Sequence, residues 1–539
     1  MKKQSFLQGA GILAIATIVV KVIGAFYKIP LYNIIGADGN AYFFQTYNIY
    51  SFLLTVSTAG LPVAISRMIA KSLAEGNPAQ ARRVDEVSFK VMFGIGLAGA
   101  LIMMVFCKPL AIAVGLPKSA PTILALGPAV LFVCINSAYR GFFQGQSMMT
   151  PTGVSQVIEA VCKLFLGLLL AFVIKRITLA ATAPNEVFDV VPTVAGAILG
   201  VTIGSLLAFF YLFILYRRNR CQLDDGGATQ PSKTRGATVR ELLSIAIPIT
   251  IGSAGLQGII LIDNSLVMLR MTGAAKLAEE AATAYMGLYG AAQTLFALPS
   301  SLVAPFTISV IPAITACVTK RNHLGAMRVE NSAIRIMTLL ILPCGVGLCV
   351  LAEPIIRLLY RANTAEQNAV AGALLAILSV AVIFNGLVLL LNAIMQAHGF
   401  VILPVINMMV GGVVKLIINF ILVGNPSIHI YGAPTGTVIG FIVMTLLDVF
   451  CIRRIIPHPP KMLRLMGKPI LACAVMGAVA WAVNALLAPI SATIACIAAI
   501  GVAVVVYVIL VLVLKIITYE DCMLLPKGKK IAAFLKISG

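Results

Sequence analysis

Two lysines, Lys21 and Lys28, stand inside an apolar run from Gly9 to Ile35 that is long enough to cross a bilayer. About twenty apolar residues suffice for one crossing, which puts Lys21 near mid-membrane. A lysine at that depth costs roughly 2.5–3.5 kcal/mol on insertion scales, so it is expected to face a polar cavity or a partner rather than lipid. Seven residues apart, Lys21 and Lys28 share nearly one helical face. The residues alone leave two readings open: Lys28 snorkels outward while Lys21 pairs with a buried acid, or both line a cavity for an anion. Asp263 and Arg270 repeat the seven-residue spacing in a later apolar run. Asp263 is therefore a candidate to neutralise Lys21, and Arg270 a third cation for the lining. Glu159 and Lys163, four apart, form either a self-satisfied pair or part of a charge-balancing or ion-coupling set with Asp263, Lys415 and Asp448. Gln45 and Asn48 share a face with Phe52 and form a polar stripe fit for sugar groups. The neighbouring Tyr42, Tyr47 and Tyr50 fit an interfacial aromatic belt equally well. Phosphate on cations and sugar hydroxyls on amides is the chemistry such a lining offers.

Several other patterns carry no chemistry. Gly94, Gly96 and Gly99 satisfy GxGxxG inside an apolar run, where helix packing is expected, as it is for Gly196, Gly200 and Gly204. No phosphate-binding GxxxxGK[ST] loop occurs, so ATP hydrolysis by this chain is not expected. Four dispersed histidines give no metal spacing, and 11 cysteines scattered without a CxxC pair read as packing residues. No nucleophile triad or carboxylate pair stands out, so an enzyme is not expected.

The elements that position these residues are membrane helices. The 539 residues are 60% hydrophobic and 11% charged, with a mean hydropathy of +1.01. Apolar runs by the length rule number about fourteen. The net charge of +21 would suggest nucleic acid in a soluble chain, but 27 of the 40 lysines and arginines fall in segments that are cytoplasmic if both termini are inside. The first run, preceded by Lys2 and Lys3, lacks a small-residue cleavage site and is expected to be retained. Pro30, Pro62, Pro248, Pro305, Pro312 and Pro343 mark expected bends.

The chain also repeats. Ala41 to Ser66 aligns without gaps to Ala284 to Ser309, sharing Ala-Tyr, Pro62/Pro305, Ile65/Ile308 and Ser66/Ser309. Gln144 precedes Lys163 by 19 residues and Gln396 precedes Lys415 by 19, with Val-x-Lys-Leu at both lysines. The expected architecture is an all-α polytopic membrane protein of about fourteen helices in two parallel six-helix repeats plus two more. The expected divisions are a first lobe over 1–216, a linker over 217–240 containing Asp224-Asp225-Gly226-Gly227, a second lobe over 241–452, and a final helix pair with a basic tail over 453–539.

The segments KVIGAFYKIPLYNIIGADGNAYFF and YNIYSFLLTVSTAGLPVAISRMIAK resemble the stage V sporulation protein B-like branch of the multidrug/oligosaccharidyl-lipid/polysaccharide flippase superfamily. The resemblance implies two lobes in a V, a cationic central cavity, a bacterial cytoplasmic-membrane location, and flipping of undecaprenyl-pyrophosphate-linked glycans. It further implies a lipid-tail groove on the two extra helices, as in lipid II flippases, and substrate binding by first-helix basic residues. Lys21 and Lys28 hold those places as point charges rather than bidentate forks. Lipid II is the expected substrate, and Lys21→Ala is expected to abolish transport without preventing insertion. A drug/cation antiporter of the same superfamily and a non-transporting scaffold for envelope assembly are the alternatives. No cofactor is expected; Na⁺ or H⁺ coupling, or the membrane potential, is expected to drive the cycle. The expected partners are membrane lipids and cell-wall synthesis proteins, without nucleic acid.

Overall fold

The structure is a computed structural model and describes residues 6–183, 188–220, 230–456, 459–460, 462–518 and 521. Among these, twelve helical segments are long and apolar enough to cross a membrane. Their outward faces carry apolar side chains such as Phe26 (66% exposed) and Val513 (69%), a surface suited to lipid. The expected fourteen crossings therefore stand against twelve such segments, the first of which, Gly11–Ala74, is 64 residues long.

The chain forms two compact units, Met1–Thr272 with Leu277–Gly287, and Gly273–Lys276 with Leu288–Gly539. The first unit is built from α1 (Phe6–Thr58), α2 (Leu61–Ala74), α3 (Pro78–Val105), α4 (Cys107–Ala113), α5 (Ala120–Gly145), α6 (Thr150–Ala181), α7 (Val191–Arg220) and nearly all of α8 (Arg235–Gly273). Two helices meet within α1 at Gly36, whose φ of 70° and ψ of −171° leave helical geometry in a region that glycine enters without strain. Lys175 on α6 donates to the carbonyl of Ile34 just before the break, satisfying one orphan acceptor. Pro30, an expected bend, lies inside the helix while the break falls at Gly36. Asn77 caps α3 by accepting from Gln80 N at 2.8 Å, with Pro78 following it.

Close approach of α6 and α7 organises this unit. A Cβ built on Gly200 would lie 2.3 Å from Gly167 Cα, so the two helices meet glycine to glycine, and Gly204 stands against the Glu159 carbonyl. Gly96 and Gly99 pack α3 on α5 at Cys134, Leu131 and Val130. These contacts give Gly96, Gly99, Gly200 and Gly204 the expected packing role, whereas a Cβ on Gly94 would meet open space.

α8 packs with the first unit. Gly60 presses on the Ala246 carbonyl, where an added Cβ would sit 2.1 Å away, and Gln45 bonds the Asn264 carbonyl at 3.0 Å. Gly60→Ala is accordingly expected to force α8 outward at a cost of about 1–3 kcal/mol. Thermal unfolding of the detergent-solubilised protein checks this, and an unchanged transition would deny the contact.

The second unit contains the greater part of α9 (Glu279–Thr319), then α10 (His323–Val350), α11 (Ala352–Leu359), α12 (Ala365–Ala397), α13 (Ile402–Val423), α14 (Gly432–Ile455), α15 (Met462–Leu487) and α16 (Ala492–Val513). Its main core joins Val310 and Ile314 of α9, Met337 and Ile341 of α10, and Leu390 and Ile394 of α12. A capping box starts α12: Thr364 Oγ1 accepts from Gln367 N at 3.2 Å, and Thr364 N donates to Gln367 Oε1 at 3.1 Å. The α13–α14 pair mirrors α6–α7, since Gly440 packs on Lys415 Cβ as Gly204 packs beside Lys163 N. The matching Val-x-Lys-Leu segments thus occupy matching helix pairs in their own units.

Candidate functional site

A cluster of charged and aromatic side chains is assembled in the first unit by α1, α5, α6 and α7. Lys163 projects from α6 onto the second half of α1, where its Nζ donates to the Tyr47 hydroxyl at 3.0 Å. The same Nζ stands 4.4 Å from the Tyr47 ring centroid and 5.0 Å from that of Tyr27, within cation–π range of both. Tyr27 is fully buried and fixed by donation to the Ala197 carbonyl at 3.2 Å. Phe43 stacks on Tyr47 at 5.6 Å and Tyr50 tilts against it at 5.4 Å, so one aromatic wall runs along α1. Lys28, half-buried one residue after Tyr27, feels the like charge of Lys163. Neither lysine meets a carboxylate among the described residues.

One turn below Lys163, Glu159 is occupied elsewhere. Arg140 of α5 donates to its Oε2 at 3.1 Å, Ser205 of α7 donates to its Oε1 at 3.3 Å, and Arg140 Nε also donates to Ser155 Oγ at 3.0 Å. The acid of the cluster is thereby neutralised by Arg140. The two lysines remain as excess positive charge over an aromatic wall, an arrangement suited to an anion.

In the second unit, Asp448 of α14 is fully buried and accepts from Asn407 Nδ2 at 2.8 Å, while its Oδ2 has no hydrogen-bond partner among the described residues. Lys415 lies on α13 with its Cβ against Gly440. A hydrogen bond between His398 Nε2 and Glu330 Oε1 at 2.7 Å and an ion pair from Arg335 Nε to Asp521 Oδ2 at 3.0 Å tie other elements of this unit. No cluster of three metal-ligating residues occurs among the described residues.

The pattern described as polysaccharide biosynthesis protein matches residues 6–318, more than half of the chain. The chain belongs to the polysaccharide biosynthesis protein family. Stage V sporulation protein B of Bacillus subtilis (strain 168) is 27% identical over 465 residues, covering 85% of each chain. Lipid II flippase MurJ of the same strain is 27% identical over 464 residues, covering 83% of this chain and 82% of the relative. Among solved structures, lipid II flippase MurJ in an inward closed conformation matches at a TM-score of 0.68 and 16% identity, over 95% of this chain and 99% of that one. An inward-facing MATE family transporter of the multidrug/oligosaccharidyl-lipid/polysaccharide superfamily matches at 0.67 and 16%, over 82% and 98%. This polysaccharide biosynthesis family member is a multi-pass bacterial membrane protein, similar along most of its length to stage V sporulation protein B and to MurJ, and it shares its fold with MurJ and the MATE transporter.

In this family member the structure brings together Lys28, Lys163 and Glu159, and it revises several expected pairings. Glu159 and Lys163 do not pair, because Arg140 takes the carboxylate and the tyrosines take the ammonium. Lys21 is exposed and bonds no described residue, whereas Asp263 is 1% exposed, so Asp263 does not neutralise Lys21. Arg270 is half-buried on α8. Gln45 is fully buried with its amide committed to the Asn264 carbonyl at 3.0 Å and the Val114 carbonyl at 3.4 Å, and Asn48 donates to its Oε1 at 3.3 Å. Tyr50 is buried inside the unit and Tyr47 faces Lys163, so these two do not form an interfacial belt. Arg140 is the residue that the linear reading missed. Its only linear signal is a position at the end of an apolar run, short of the helix terminus.

Proposed function

We propose that this protein flips an undecaprenyl-pyrophosphate-linked glycan, lipid II above others, from the inner to the outer leaflet by alternating access. The observation that carries the proposal is the pair of lysines, Lys28 and Lys163, which no carboxylate answers among the described residues. A pyrophosphate would relieve their mutual repulsion while accepting charge-assisted hydrogen bonds worth about 1.5–3 kcal/mol each. Lys21 and Arg270 extend the cationic set along α1 and α8, and the Tyr47 hydroxyl and Asn48 offer hydrogen bonds to sugar groups. Glu159, the acid beside Lys163, is occupied by Arg140, which disfavours a cation site at this cluster.

Binding separates the phosphate from the tail. The purified protein should bind undecaprenyl pyrophosphate at least about tenfold more tightly than undecaprenol, with the difference shrinking as salt rises. Equal affinity for the two would refute a phosphate site.

The proposal takes fourteen crossings, with Gly11–Ala74 broken at Gly36 into two and α9 adding another, and both termini cytoplasmic. Coupling is assigned to the membrane potential, about 2.3 kcal/mol per charge per 100 mV, or to Na⁺ or H⁺ at Asp448, whose buried carboxylate has one unanswered oxygen among the described residues. Asp448→Asn is then expected to keep glycan binding but lose acceleration by an ion gradient, read as flipping in proteoliposomes with and without Na⁺ or pH gradients. Unaltered gradient dependence would remove Asp448 from coupling.

A further inference from the structure

A second site of different chemistry lies within the second unit. A cavity of about 490 Å³ opens between α11, the first turns of α12, the end of α15 and the start of α16. Tight packing builds it: a Cβ on Gly372 of α12 would fall 2.8 Å from Glu353 Cα, so α11 lies hard against α12. Leu351, Met476, Ala480, Ala499 and Ala503 fasten the root of α11 to α15 and α16. The short helix is strongly one-sided, burying Ala352 and Ile356 and exposing Glu353 and Arg357 one turn apart.

Those two charges line the cavity together with Asn484 and Trp481. Their four-residue spacing suits an ion pair, yet neither bonds the other nor any described residue. One cavity thus presents an anion and a cation, both available, about 5–6 Å apart at their Cβ atoms.

Membrane depth narrows the ligand. α15 begins among Arg464 and Lys468 and runs 26 residues, roughly 39 Å, to the cavity end, enough to place that end at the opposite bilayer interface. Trp481, 65% exposed, is the residue type that settles at headgroup level. Adjacent to it, Leu486, Ile490, Ile494 and Ile497 form an exposed apolar strip along the α15–α16 turn and α16.

We propose that this cavity binds the headgroup of a zwitterionic phospholipid carrying a primary ammonium, of the phosphatidylethanolamine class. Arg357 takes the phosphate, Glu353 takes the ammonium, Asn484 donates to a glycerol ester, and the acyl chains lie on the α16 strip. The site is independent of which glycan the protein carries.

The test is native mass spectrometry of the full-length protein, delipidated and then exposed to equimolar phosphatidylethanolamine and phosphatidylglycerol. The unaltered protein should retain the zwitterionic lipid several-fold over the anionic one. Glu353→Gln should bring the ratio close to one with total lipid little changed, while Arg357→Gln should lower retention of both several-fold. Ala488→Trp, which fills the cavity from its exposed side, should do the same without touching either charge. Water-soluble glycerophosphoethanolamine should not displace the lipid. Equal retention of the two lipids by the unaltered protein, an unchanged ratio in Glu353→Gln, or displacement by the soluble headgroup would each overturn the assignment.

Discussion

Lys28→Met is expected to lower flipping by at least about tenfold while leaving the protein inserted and no less heat-stable than the unaltered chain. The two halves of this result have one cause. Without an anion, a half-buried ammonium beside the like charge of Lys163 contributes desolvation cost and repulsion, and an apolar side chain of similar length removes both. With the substrate's pyrophosphate present, the same ammonium supplies a charge-assisted bond of about 1.5–3 kcal/mol, or roughly ten- to a hundredfold in affinity. Lys28→Arg keeps the charge and should retain most activity. Lys21→Ala is expected to lose transport in the same way, since Lys21 bonds no described residue that its removal would orphan. Thermal unfolding in parallel with a proteoliposome flipping assay distinguishes the readings. A large fall in stability accompanying the loss would make Lys28 structural and contradict its role at the anion site.

Arg140→Ala is expected to damage both stability and transport, by two separable routes. Removing the guanidinium leaves Glu159 with Ser205 as its remaining side-chain donor, and orphaning one partner of a buried pair costs about 3–5 kcal/mol. The side chains of this pair are 12% and 23% exposed, which places the expected loss near the lower end, about 3 kcal/mol. The second route is capture of Lys163. It sits one turn from Glu159 on the same helix, so a free carboxylate would draw its ammonium off the Tyr47 hydroxyl and the two rings. Adding Glu159→Gln to Arg140→Ala should therefore restore a substantial part of transport, because a neutral amide no longer competes for Lys163. A double variant no more active than Arg140→Ala would mean that Lys163 is not the residue through which Arg140 acts.

These residues also show how far the linear chain could be read. The membrane class, the helical architecture and the repeat were legible because length, hydropathy and the Val-x-Lys-Leu recurrence are local signals, and the two copies occupy matching helix pairs, α6–α7 and α13–α14. Lys28 was legible because a charge in an apolar run is costly wherever the run folds. Its neighbours were harder. Glu159 and Lys163 have ideal helical spacing, yet a partner 19 residues away on α5 wins the carboxylate by offering a guanidinium aimed at it through helix packing. Gln45 has the composition of a cavity residue, but contacts 69 and 219 residues away consume its amide. The break in α1 falls at Gly36, where positive φ selects glycine, although Pro30 is the stronger breaker in the sequence. The packing of α8 on the first unit depends on Gly60 admitting a carbonyl of α8, a contact across 186 positions that no local pattern announces.

The central claim is best tested by locating lipid II across the membrane. The protein would be depleted in a host lacking its other superfamily members and the outer leaflet of intact cells scored with an impermeant lipid II probe, with rescue by the unaltered chain or by Lys28→Met. The account predicts loss of outer-leaflet lipid II with inner-leaflet accumulation, rescue by the unaltered chain, and no rescue by Lys28→Met at equal membrane abundance. An unchanged leaflet distribution on depletion, or full rescue by Lys28→Met, would contradict it.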